Sequence, residues 1–199
     1  MKYLLPRGYI SWSALQLLEQ NPDEYYRIYF LGEKRFVSKH MEFGKEFARM
    51  RSGEIPPKDS ATAFYLSLAP SFPKKEHPMR AISDGIHLYG ILDSFDVKIK
   101  GIGEDKTSTS PWTQKKVDAH GQFTFYALMI WIKYKKIPGP SFLAWYETKE
   151  DEGGNIQLTG KVKTFKTQRG LCDISLMRKR IEKAANQIHE MSIKHNKTL

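Results

Sequence analysis

The sequence predicts an α/β fold in which an antiparallel three-strand meander and further strands are flanked by helices. Two observations carry that expectation. Strand-like runs between residues 79 and 108 are divided by Asp84-Gly85, a dipeptide suited to the left-handed positions of a two-residue hairpin turn. Before and after those runs, apolar residues recur at helical spacing.

Ser11 is a good N-cap residue, and Leu15, Leu17 and Leu18 give the stretch to Glu19 an apolar side before Pro22 ends it. Tyr25, Tyr26, Tyr29 and Phe30 then form an aromatic cluster at helical spacing, read as a buried seam. Met41, Phe43, Phe47 and Met50 follow the same period, with Gly44 among them suggesting close packing against another backbone. Residues 52–60 and 69–78, rich in Gly and Pro, are expected to be loops, and the segment between them fits no single pattern. A second reversal near Lys98 to Gly101 leads into the third strand. Residues 113–135 read as one long helix with Gly121 inside it. SFLAWYETK and IQLTGKVKTFKT make a hairpin, and Ile174, Met177, Ile181, Ala184, Ile188 and Met191 mark a closing helix capped at Asp173.

A chain of 199 residues with 40% hydrophobic and 27% charged residues can bury one substantial core. One domain over residues 1–199 is expected, with a helical part at about 10–51, a core at about 79–135 and the hairpin with closing helix at about 141–196. No apolar run approaches the ~20 residues of a spanning helix, and the start of the chain has no secretion-signal pattern. A cytoplasmic location without membrane association is the expectation. The single cysteine, Cys172, excludes an intrachain disulfide and supplies too few ligands for a cysteine-bound zinc or iron–sulfur site. Lys and Arg outnumber Asp and Glu by 32 to 22, a surplus that favours a polyanionic partner such as DNA.

If the second and third strands reverse near Lys98 to Lys100, paired positions have numbers summing to about 197 to 199. Asp93 and Glu104 then lie opposite one another, provided no bulge intervenes. Lys106 shares the face of Glu104, while Asp105 points away. Two facing carboxylates repel unless a cation lies between them, and oxygen-only ligands select Mg²⁺ or Mn²⁺. Spacing alone leaves these as solvated strand residues equally well.

The run Gly90-Ile91-Leu92-Asp93, then Glu104-Asp105-Lys106-Thr107-Ser108, then Gln122 and Tyr126 as Q-x-x-x-Y, resembles the signature of the PD-(D/E)XK nuclease superfamily. The RecB-like and phage exonuclease branch is the most similar. ISWSALQLLEQNPDEYYRIY and FGKEF resemble that branch's N-terminal helices, so the likeness spans about Ile10 to Trp131.

The resemblance implies a restriction-endonuclease-like core and Mg²⁺-dependent (or Mn²⁺-dependent) hydrolysis of DNA, as an exonuclease in recombination, repair or phage DNA processing. Asp93 and Glu104 would bind the metal, and Lys106 would orient or help deprotonate the attacking water. Gln122 and Tyr126 would bind phosphate or buttress Lys106. Apart from the resemblance, Trp112 just after the TSTSP loop could stack on a base at the cleft mouth, or cap the following helix. A homo-oligomer or a recombination partner protein is compatible with this branch.

Two departures stand out. The helix position four residues after Gly44, which holds a metal-binding His or Glu in many relatives, is Ala48; Glu46 is the candidate replacement, with a solvent-facing role as its alternative. Leu92 stands where the proline of the superfamily's name is found. The competing reading is a catalytically inactive nucleic-acid-binding module that retains the nuclease fold. In either case Lys161, Lys163, Lys166 and Arg169, with Arg178, Lys179, Arg180 and Lys183, are candidates for tracking a DNA backbone or for a solvated face.

Overall fold

A computed structural model describes residues 3–198. Four helices come first: α1 (Trp12–Gln20), α2 (Pro22–Tyr29), α3 (Lys39–Ser52) and α4 (Ser60–Ser67). Strands β1 (Lys74–Ser83), β2 (Ile86–Asp96) and β3 (Gly101–Ser108) follow, then α5 (Gln114–Asp118), α6 (Gly121–Tyr134), β4 (Ser141–Glu150), β5 (Ile156–Thr167) and α7 (Leu171–Thr198). The five strands form one sheet in the order β1-β2-β3-β4-β5. All neighbours are antiparallel except β3 and β4, which are parallel and joined through α5 and α6. Among the described residues no helix is long and apolar enough to cross a membrane.

Asp84 and Gly85 occupy the expected turn, with φ of 52° and 82°. Ser11, Asn21, Ser38, Asp59 and Thr113 each cap a helix by accepting a backbone N–H. The segment left open in the sequence is α4. Strand β1 begins at Lys74 and so runs through the expected 69–78 loop. It tolerates Pro78 because it is an edge strand, where a missing N–H need not break a ladder. The expected long helix over 113–135 is two helices, divided at Ala119 and His120. A Cβ on Gly121 would lie 2.4 Å from the Trp12 ring, so glycine lets α6 start against α1. Helix α7 starts two residues before Asp173, whose carboxylate accepts the N–H of Gly170.

One face of the sheet carries the larger core. Leu15 and Leu18 of α1, Phe125 and Met129 of α6, and Ile181 and Ile188 of α7 pack there on Leu88, Leu92, Leu143 and Trp145. On the other face Phe47 and Met50 of α3 and Leu66 of α4 cover Ala144 and Tyr146. Gly44 carries α3 over Thr107, where an added Cβ would meet the Thr107 hydroxyl at an ordinary 3.6 Å. Close approach to a backbone, the reason the sequence suggested for that glycine, is not what is found there.

Candidate active site

The site lies where β2 separates from β3. Their rungs are Asp96↔Gly101, Phe95↔Ile102 and Ser94↔Gly103, each summing to 197, and the ladder ends there. The next pair in this register is Asp93 and Glu104, as the sequence implied. A local irregularity does intervene. Gly90 abuts Tyr126 of α6, and Phe95 stacks on Tyr134 of the same helix; positions five apart share a face only if the alternation slips once between them. The β1 to β2 ladder also skips the rung between Glu76 and Asp93, and Glu76 has φ of 41°.

Freed from regular pairing, the Asp93 carboxylate accepts the backbone N–H of Asp105 at 2.8 Å. It thereby sits at the head of a cleft of about 480 Å³ between α3 and the sheet, lined also by Glu76, Glu104, Asp105 and Lys106.

On β3, Glu104 and Lys106 face α6 and Asp105 faces α3, as period-two alternation requires. Glu104 is only 3% exposed. Its Oε1 accepts from Lys106 Nζ and, at 2.7 Å, from Gln122 Nε2, whereas its Oε2 is buried without a hydrogen-bond partner. Lys106 also donates to Gln122 Oε1 at 3.1 Å, and His120 Nε2 lies 3.2 Å from the same oxygen. Tyr126 donates its hydroxyl to the Ile91 carbonyl at 2.7 Å and tethers the strand two residues before Asp93. Gln122 and Tyr126 are thus largely buried and hydrogen-bonded to each other, and with Lys106 they line a second cleft that also holds Arg7, Ser11 and His120.

The electrostatics follow from crowding acids in a partly dry cleft. Burial, and then the charge of Asp93, pushes the Glu104 carboxyl up to about 8. Burial raises Asp93 as well, with Lys106, the Asp105 N–H and Arg51 opposing it. Burial takes Asp105 to about 6 although Arg51 Nε is 3.2 Å from its carboxylate. Glu76 is raised by burial and by Asp93 and Asp105. For Lys106, burial works against the charge, but Glu104 and Asp93 outweigh it and hold the ammonium above its ordinary range. His120 is pushed down to about 4 by burial and the Lys106 charge, so it is neutral near pH 7.

Glu46 does not join this group. Helix α3 turns it outward, where its carboxylate lies 3.0 Å from Lys58 Nζ, and Ala48 lines the cleft instead. Trp112 is not at a cleft mouth either: it is buried, edge-on to His120 and under the Lys116 ammonium, so it caps the start of α5. Among the basic candidates, Arg169 is a core residue holding the carbonyls of Val117 and His120, while Arg178 and Arg180 pair with Asp84 and Glu19.

Sequence reasoning missed Glu76 and Arg51. Glu76 lies in a proline-rich stretch read as loop. Arg51 donates to Asp105 and to the carbonyls of Leu66, Ala69 and Pro70, partners that helical periodicity does not reveal.

The orphaned Oε2 of Glu104, on a carboxyl that Asp93 electrostatically opposes, fits a hard cation with oxygen ligands. Among the described residues no three His, Cys, Asp or Glu side chains are placed to enclose a metal by themselves. A cation here would therefore need further oxygens from water or substrate.

The fold is shared with solved structures. One is a "putative exonuclease" from Eubacterium rectale, with a TM-score of 0.63 at 10% identity, covering 95% of this chain and 83% of that one. Another is a phage related exonuclease from Haemophilus somnus 129PT, with a TM-score of 0.55 at 12% identity and coverage of 94% and 86%. At these identities the likeness is one of fold. No family model and no curated protein matches the sequence.

Proposed function

We propose that this chain is a metal-dependent nuclease that hydrolyses phosphodiester bonds in DNA, as an exonuclease in recombination, repair or phage DNA processing. The observation that carries the reading is the state of Glu104: one carboxylate oxygen is held by Lys106 and Gln122, and the other is buried and unpartnered, on a carboxyl that Asp93 electrostatically opposes. An ionised carboxylate in that position is costly, and a divalent cation shared with Asp93 offsets the cost. The names of the two fold neighbours and the order of the Asp93, Glu104-Asp105-Lys106 and Gln122/Tyr126 motifs support the same reading.

When bound, Mg²⁺ or Mn²⁺ would polarise the phosphodiester and favour ionisation of an attacking water. Asp93 and Glu104 would supply its protein oxygens. In the metal-free cleft the adjoining carboxylates favour the ammonium form of Lys106, which would orient the attacking water or help to deprotonate it. Glu104 and Gln122 take two of its three N–H groups, which leaves one for the attacking water or a phosphate oxygen. Gln122 bonds both the ammonium and the carboxylate, and Tyr126 bonds Gln122 and the Ile91 carbonyl of β2.

Incubating the protein with end-labelled single- and double-stranded DNA in Mg²⁺, Mn²⁺ or EDTA tests the proposal. Cleavage in either metal and none in EDTA is expected. Binding without metal-dependent cleavage would leave the inactive binding module and overturn the enzyme.

A further inference from the structure

Residues 31–37, between α2 and α3, form an unbroken exposed run without regular structure. Three large apolar side chains sit in it: Leu31 at 54% exposed, Phe36 at 79% and Val37 at 38%. Phe36 is the most exposed large apolar residue among those described, and it is preceded by Lys34 and Arg35. Within the strap Lys34 and Arg35 stand beside one acid, Glu33, which lies 3.9 Å from Arg27, and from Ser38 to Lys45 Lys39 and Lys45 stand against Glu42. The strap leads directly into the first turns of α3, where His40, Met41 and Lys45 line the cleft that holds Asp93 and Glu104.

We propose that this strap is a nucleic-acid contact continuous with the cleft, and that it receives an unpaired base on Phe36 with flanking phosphates on Lys34 and Arg35. This rests on the nuclease reading above. An aromatic ring exposed to water next to two cations in sequence has the chemistry of a stacking platform beside an electrostatic track, which recognises single-stranded segments with little regard to sequence. The base must be unpaired, because a paired base offers its faces only to its neighbours in the duplex. The preferred substrate therefore has a single-stranded stretch or a frayed end entering past α3.

Fluorescence anisotropy in EDTA, which permits binding without cleavage, measures the contact with labelled oligo(dT) and with a blunt duplex. Wild type is expected to favour oligo(dT). Phe36→Ala weakens that binding roughly tenfold, and Phe36→Trp restores it. Lys34→Ala with Arg35→Ala lowers the slope of log K against log salt by about 1.4 for single strands. All three variants should keep the wild-type melting temperature, because the side chains lie in solvent.

If wild type binds oligo(dT) and the variants bind equally well, the strap proposal is wrong while the nuclease reading survives. If wild type binds no nucleic acid and cleaves none with metal, both fall. Sedimentation supplies the remaining outcome: a wild-type dimer that Phe36→Ala makes monomeric would assign the strap to a second copy and overturn its role toward nucleic acid.

Discussion

The backbone N–H of Asp105 donates to the Asp93 carboxylate at 2.8 Å, so the residue between Glu104 and Lys106 positions the acid of the neighbouring strand. Arg51 extends that relationship. It binds the Asp105 side chain and three carbonyls around the end of α4, joining α3, α4 and β3 at the cleft.

Removing Arg51 should therefore destabilise the fold as well as the site. Arg51→Met leaves a largely buried Asp105 without its cation and three carbonyls without their donor, and a loss of about 3 to 5 kcal/mol is expected. Arg51→Lys recovers only part of this, since an ammonium cannot reproduce the planar fork. Urea midpoints of the two variants measure the order; an unchanged midpoint for Arg51→Met would contradict it.

The raised Glu104 carboxyl predicts a specific pH dependence for the metal-free protein. Its folded value of about 8 lies above the ordinary 4.5, so the folded state holds the extra proton and loses that stability as pH rises toward 8. Below about pH 6.5 the neutral His120 contributes with the opposite sign, stability being lost as pH falls from 6.5 through about 4. The clear window is pH 6.5 to 8. Melting temperature in EDTA should fall across it, and Glu104→Gln should flatten the fall.

Gln122 acts through its neighbours. Gln122→Ala removes a donor from Glu104 and an acceptor from Lys106, and metal affinity or activity should drop roughly 10- to 100-fold, the usual cost of losing a residue that orients metal ligands. Calorimetric Mn²⁺ titration separates this from unfolding. Unaltered Mn²⁺ affinity together with unaltered cleavage would leave Gln122 a packing residue.

Much of this site was legible because it is local in sequence. Asp84-Gly85 fixes the first hairpin, the reversal before Gly101 places the pairing sum near 197 to 199, which the structure narrows to 197, and alternation then sets Glu104 and Lys106 side by side. The rest depends on contacts between distant positions. Arg51 meets Asp105 across 54 residues, and β3 pairs with β4 in parallel only after α5 and α6 have crossed the sheet. The missing rung between Glu76 and Asp93 is a departure from strand regularity, to which a period-two reading is blind. Glu46 and Trp112 illustrate the converse error: each is a plausible residue type near the right motif, but helix phase sends one to Lys58 and packing buries the other.

The central claim concerns Lys106 beside Glu104, and the cleavage rate of Lys106→Ala in Mg²⁺ or Mn²⁺ tests it most directly. Removing a positioned acid–base group from a hydrolytic site is expected to lower the rate roughly 10²- to 10⁴-fold, with DNA binding in EDTA retained. A variant that cleaves DNA as fast as wild type would contradict the account.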